Sequence, residues 1–347
     1  MSEIAGPDHL AEIAASRCPG RRQLRVSQFD DWHRDLDDAL RILPATPDCP
    51  PDLLRLLAAK RGVEAKRTAL VLDGGIPVAV LPLCRTGWAS WRPVTHYVVP
   101  GQVLPAEPGR LIEAVEALNL TVSLAFWRSP EPLPAGPRIR GLLSSPTRGM
   151  SFAEDFVAFW KTSHLWTALR GARNRCKDLP LAINAPGAAR WVIVNWAEKW
   201  GVPAGEREDR LAAADYLEGS GKHFTLTLSD RGRMVAGITC VVHEGEAVAH
   251  CSFRYPEYKY HQVGNHILRL LFEWARDAGL NGIDIGSGFA YKARFAPLRG
   301  VKHEFTVTAS LPKYHLQRAV SAARAGARRW LAGAPPKAPG NADDTMD

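Results

Sequence analysis

Residues 258–278 read YKYHQVGNHILRLLFEWARDA, and residues 282–295, just beyond, read GIDIGSGFAYKARF. In the first stretch Ile267, Leu271, Trp274 and Ala278 recur at the spacing of one helical face, downstream of a Gln-x-Gly-Asn turn. A loop therefore feeds a helix N-terminus. The free backbone N–H groups there, with the positive end of the helix dipole, hold a phosphate or another anion without any charged side chain. Gly264 lets a backbone amide approach such a group closely, Gln262, Val263 and Asn265 complete the turn, and His266 is expected to add charge. The competing assignment is a plain helix start capped by Asn265.

The flanking segments read as strands. GIDIGS places Asp284 on the opposite face from Ile283 and Ile285. EAVAHCSFRY carries His250, and HFTLTLSDRGRMVAGITCVV is a hairpin. Asp284 and His250 thus lie on strands beside an expected cleft and are the candidate bases. The alternatives are a strand-end aspartate capping a loop and a packed strand histidine.

A second copy of this order lies upstream. Asp73-x-Gly75-x-x-Val78-Ala79 matches Asp230-x-Gly232-x-x-Val235-Ala236 at an offset of 157 positions, and the same offset maps VTHYVVP onto CSFRYP and a helix over 110–118 onto the opening helix. Two related domains are predicted: a lead-in over 1–25, an N-terminal domain over 26–145, a C-terminal domain over 146–312, and a basic helix with a disordered tail over 313–347. The pattern Phe29, Trp32, Leu36, Leu40 predicts a helix from Ser27, PDLLRLLAAKRG a second, and TALVLDGGIPVAVLPLC a hairpin. TVSLAFW is a strand, and the proline-rich run from Ser129 to Pro146 is a linker. SFAEDFVAFWKTSHLWTALRGARNRCKDL is helical, with Ser151 and Glu154 as a capping box.

Composition narrows the class. No apolar run approaches the roughly 20 residues of a membrane-spanning helix, and MSEIAGPDHLAEIAASRC has acids where a secretory signal would carry basic residues, so a cytoplasmic location is expected. The six cysteines are scattered, with no C-x-x-C pair, and read as reduced and mostly structural. A formal charge of +8 favours an anionic partner. Part of it lies in Arg170, Arg173 and Lys177, which fall at i, i+3 and i+7 and would share a helical face that grips a phosphate-rich substrate. More lies between Glu304 and Asp343, where there is no acid. The helix YHLQRAVSAARAGARRWLAG would rest on the domain or on an anionic membrane surface, and its alanine-dominated stripe favours the domain. HEGEAVAH lacks the H-E-x-x-H spacing, and there is no G-x-S-x-G elbow or P-loop, so no metal site, hydrolase elbow or nucleotide-triphosphate loop is predicted.

The segments LRGARNRCKDL (169–179), LSDRGRMVAGITCVV (228–242) and QVGNHILRLLFEWARDAGLNGIDIGSGFAYKARF (262–295) together resemble the GNAT-type acetyltransferase domain of the CelD/BcsL class. That class is related to the FemAB peptidyltransferases, which carry two GNAT-like domains in tandem. The resemblance implies an α/β (α+β) fold of tandem GNAT-like domains, each a twisted mixed sheet flanked by helices, whose central strands splay around an acyl-CoA. It implies acyl transfer, with acetyl-CoA as the expected donor, to an amine or hydroxyl of a small molecule or sugar in envelope or polysaccharide biosynthesis. Tyr291 and Lys292 match the family's Tyr-Lys pair and are assigned to thiolate protonation and substrate positioning. Nucleic acid enters only if the donor is an aminoacyl-tRNA, and a third possibility is a non-catalytic binding module.

Overall fold

The computed structural model describes residues 13–14, 24–29, 32–42, 55–56, 66–73, 75–85, 90–93, 118, 120–129, 139–243, 245–287, 290–308 and 311–331. The expectations for VTHYVV, most of PDLLRLLAAKRG, the helix over 110–118 and the final tail lie outside them, apart from single residues.

In chain order, β1 (Ile13–Ala14) and β2 (Leu24–Phe29) precede α1 (Arg34–Ile42), β3 (Lys66–Asp73), β4 (Ile76–Arg85), β5 (Ser90–Pro93), β6 (Thr121–Ser129) and β7 (Ile139–Ser151). After α2 (Phe156–Thr162) and α3 (Trp166–Arg175) the order recurs. It runs β8 (Leu181–Ile183), α4 (Ala188–Trp200), α5 (Ala204–Gly219), β9 (His223–Asp230), β10 (Arg233–His243), β11 (Glu246–Arg254), α6 (Val263–Asp277), β12 (Gly282–Ser287) and β13 (Leu298–Thr308), with α7 (Leu311–Leu331) last. The recurrence keeps its register: Leu24 and Leu181, Lys66 and His223, Asp73 and Asp230, and Ser151 and Thr308 bound corresponding strands at the same separation of 157 residues.

All thirteen strands join one mixed sheet in the order β1-β2-β3-β4-β5-β6-β13-β7-β12-β11-β10-β9-β8. Its centre is a reciprocal exchange. β7 follows β6 in sequence but pairs with β12, while β13 follows β12 but pairs with β6, and β7 and β13 pair with each other. The run predicted as a linker therefore contributes a central strand from Ile139 onward. Pro146 is accommodated because the ladder to β12 begins at Thr147, so the proline has a ladder partner only on its β13 side, Val301.

Two other local expectations shift. Phe29 ends a strand, because Leu24, Val26 and Gln28 are buried with period two, and the helix starts only at Arg34. The capping box gives way to Asp155, whose carboxylate accepts from the N–H groups of Val157 (2.8 Å) and Ala158 (3.1 Å). Ser151 is the last residue of β7, and its hydroxyl instead accepts from the Ala153 N–H.

One face of the second half carries α2, α3 and α6 over Phe156, Trp160, Phe272, Ile283, Ile285 and Phe295, an aromatic-rich core. The other face carries α4 and α5. Ala212, Ala213 and Leu217 of α5 bury in one cluster with Leu36, Leu70 and Val80, so α5 packs against the first half. Helix α4 lies close on β10 because Gly237 has no side chain: a Cβ there would stand 2.5 Å from Val192 Cγ2. Gly237→Ala is expected to cost about 1–3 kcal/mol by overpacking, read as a lowered thermal midpoint.

Candidate active site

The site begins as a defect in a ladder. β11 and β12 run parallel but pair only at Glu246–Gly282, Ala247–Ile283 and Val248–Asp284. Directly beyond, the β10–β11 register jumps from Cys240–Ala249 to Ile238–Ser252, so His250 and Cys251 together face Thr239. This is a β-bulge, and it bends a strand and re-aims its side chains. The Cys251 N–H is satisfied by the Thr239 hydroxyl at 3.1 Å. The last three residues of β12 and the outer half of β11 diverge into a splay.

The outer end of β11 leads through a 3₁₀ turn (Pro256–His261) into α6. Tyr258 donates to Asp230 at 2.6 Å and fixes that turn to the β9–β10 hairpin. Gln262 takes a left-handed conformation, and the helical ladder starts with the His266 N–H on the Gln262 carbonyl at 3.1 Å. The N–H groups of Val263, Gly264 and Asn265 lie ahead of that ladder, aimed out of the helix end. Gly264 faces Arg254, whose Cδ and Nε lie 3.4 Å from where a Cβ would be. Among the described residues no carboxylate pairs with Arg254. A guanidinium beside a positive helix end repels it unless an anion joins the two, and the pair is arranged to hold a phosphate-sized anion.

The structure revises the roles expected within the turn. Val263 is a core residue. His266 is buried, and that burial, with Arg269 and Arg173 nearby, pushes its pKa down to about 4; it is neutral at physiological pH and adds no charge. Arg254 supplies the charge instead. Sequence alternation hides it, because counting by twos from the buried Ala247 assigns Arg254 to the wrong face, and the extra residue of the bulge moves it to the α6 side.

Tyr291 and Lys292 lie on a 3₁₀ turn (Ala290–Arg294) just past β12. α2 and the break after it clamp this turn: Trp160 Nε1 donates to the Phe295 carbonyl at 3.0 Å, and the Ser163 hydroxyl donates to the Arg294 carbonyl at 2.8 Å. Tyr291 stacks edge-on against Phe295 and lies within electrostatic reach of Arg254. Burial raises its pKa above the ordinary tyrosine value, with Arg254 opposing, so the phenol keeps its proton. Lys292 turns inward, its Nζ donating to the Ile285 carbonyl at 2.7 Å. It ties the turn to β12.

The candidate bases face the other side of the sheet. Asp284 is buried, and its carboxylate accepts from the Gly286 N–H at 2.5 Å, which is the loop-capping alternative. His250 is partly exposed and within electrostatic reach of His223 on β9. His223 is 1% exposed, both its ring nitrogens lack a hydrogen-bond partner, and burial followed by the neighbouring His250 pushes its pKa down to about 4. Its folded pKa lies below the unfolded one, so it contributes stability above pH 6.5 that is lost as pH falls toward 4. At 1.36 kcal/mol per pH unit the loss approaches roughly 3 kcal/mol. His223→Leu is expected to flatten the acid limb of a plot of thermal midpoint against pH.

The basic row does not form as predicted. α3 ends at Arg175 with Cys176 as its cap, the Cys176 N–H bonding the Ala172 carbonyl, so Lys177 leaves the helix before Pro180. Arg170 and Arg173 remain exposed on α3. The described cysteines are free and buried; burial raises the Cys176 thiol to about 11 and pushes Cys240 and Cys251 up as well, so these three are not thiolate nucleophiles. Among the described residues no group of His, Cys, Asp or Glu is gathered to hold a metal ion.

Comparison with known proteins agrees with this geometry. Residues 168–293 match the family profile described as "Acetyltransferase (GNAT) domain". The chain is similar to the solved C-terminal domain from Agrobacterium fabrum described as belonging to a lysylphosphatidylglycerol synthetase, at 12% identity and TM-score 0.50, covering 83% of this chain and 95% of that one. It is also similar to FemX (11% identity, 83% and 99% covered, TM-score 0.48). A third similar structure is a tandem GNAT protein from the clavulanic acid biosynthesis pathway (12%, 83% and 99%, TM-score 0.46). No curated protein matches. Residues 168–293 thus match a GNAT domain, and the chain shares its fold with the Agrobacterium fabrum domain.

Proposed function

We propose that the chain is an acyltransferase that moves an acyl group from an acyl-CoA, with acetyl-CoA as the expected donor, to an amine or hydroxyl. The observation that carries this reading is the β11–β12 splay opening beside Arg254, which no carboxylate pairs among the described residues, and beside the first-turn N–H groups of Val263, Gly264 and Asn265. A pyrophosphate fits the charged end and an extended pantetheine arm fits the splay. Acyl-CoA supplies an activated thioester at the inner end of that groove.

The chain's own residues then divide the work between the two faces. Arg254 and the α6 terminus hold the donor's phosphates. The acceptor approaches from the α4/α5 face, where His250 is better suited than Asp284 to take the nucleophile's proton, because Asp284 is buried and engaged with Gly286. The nucleophile bonds to the thioester carbon, the C–S bond breaks, and Tyr291, still protonated, gives its phenolic proton to the leaving thiolate. Lys292 positions Tyr291 through β12.

The acceptor class, a small molecule or sugar of envelope or polysaccharide biosynthesis, rests on the CelD/BcsL resemblance; the tandem arrangement rests on the repeat at 157 residues, and a donor site in the second half alone on the sequence of the corresponding first-half turn, where Glu107 between prolines would repel phosphate. The test is thiol release from acetyl-CoA against a panel of amino sugars, amines and alcohols. Acceptor-dependent release is expected. Release with none of them, together with salt-sensitive binding of tRNA lost on neutralising Arg170 and Arg173, would move the donor to an aminoacyl-tRNA.

A further inference from the structure

Helix α7 (Leu311–Leu331) extends beyond the last strand of the sheet. It runs for 21 residues after β13, and among the described residues no helix or strand packs along it. The sequence pattern favoured rest on the domain; among the described side chains of α7, Leu316, Ala319, Ala323 and Ala327 are exposed and Leu311, Tyr314 and Val320 are half-buried. At 3.6 residues per turn, Leu316, Val320, Ala323, Ala327, Trp330 and Leu331 share a sector of roughly one-third of the helix circumference. Lys313 and Arg324 border that sector, while Arg318, Arg328 and Arg329 fall outside it. No Asp or Glu occurs anywhere from Phe305 to Ala342.

We propose that α7 lies on an anionic lipid surface, apolar sector inward and cations at the headgroups. Three other environments fit this pattern less well. A second copy of α7 would bring five uncompensated cations against five more. RNA would neutralise the cations but leave the apolar sector in water, and only one aromatic of the helix, Trp330, lies in that sector to stack on bases. Among the described residues the chain's own helices and strands make no more than slight contact with it. An anionic bilayer satisfies the apolar sector and the cations together. The helix lies in the interface; it is not long and apolar enough to span.

The experiment is co-sedimentation of the full chain with vesicles of phosphatidylcholine alone or with one-quarter phosphatidylglycerol. Binding is expected only to the anionic vesicles and should fall with salt. At roughly fivefold per cation, Arg324→Gln, Arg328→Gln and Arg329→Gln together should weaken it about 100-fold. Leu316→Gln with Ala323→Gln should also weaken it, and this second variant should not shift the thermal midpoint, since both side chains are exposed. No vesicle binding, equal binding to neutral vesicles, or binding indifferent to both variants would overturn the proposal. So would α7-dependent dimerisation or RNA binding in place of vesicle binding.

Discussion

Tyr291→Phe is expected to lower kcat by roughly 10²- to 10⁴-fold, the range for loss of a positioned general acid, with little change in KM for acyl-CoA. The ring should stay in place: its edge-on contact with Phe295 involves no hydroxyl, and the turn is held by Trp160, Ser163 and Lys292. Stability should therefore be nearly unchanged, which separates a chemical loss from a folding one. The pH profile gives a second readout. Wild-type kcat falls only as pH rises through the elevated pKa of Tyr291, above the ordinary tyrosine value, and that alkaline limb should be absent from the variant. Unchanged kcat would remove Tyr291 from the chemistry.

Gly264→Glu carries the other large effect. The backbone at Gly264 is helical with no left-handed strain, and a Cβ there would meet Arg254 only in ordinary contact, so the side chain is accommodated. A carboxylate in the first turn favours the helix by about 0.3–1 kcal/mol through the dipole and gains a partner in Arg254. The same carboxylate sits where the donor's phosphates are expected. Donor affinity should fall by about 100-fold or more, roughly 2.7 kcal/mol, while the thermal midpoint holds or rises. Opposite movement of stability and binding is difficult to obtain from simple misfolding.

Much of the second half was legible because its determinants are local. The helical period from Ile267 to Ala278, the alternation around Asp284 and the Asp-x-Gly hairpins are short-range signals, and the hairpins repeat at a spacing the strands keep. What escaped was non-local. No window around residues 139–151 shows that this segment pairs with β12 and β13, strands more than a hundred residues away, and the prolines before it read as a linker. Arg254 was hidden by a single bulged residue, which inverts the face that alternation assigns. The neutrality of His266 depends on burial and on Arg173 from another helix. Lys177 was misplaced because α3 stops two residues short of it, at a cap set by Cys176 and the approaching Pro180. At the site, then, the helix entry was readable, whereas the approach of Arg254 and the tethering of Lys292 were set by tertiary contacts.

The central claim is that the splay beside Arg254 and the α6 terminus is a donor site that recognises phosphates. Calorimetric titration of the full chain with CoA and, separately, with pantetheine, which lacks the pyrophosphate and nucleotide, tests it most directly. Saturable CoA binding that pantetheine does not match, and that Arg254→Ala weakens, is the expected result. No heat with CoA, or equal affinity for pantetheine, would contradict it.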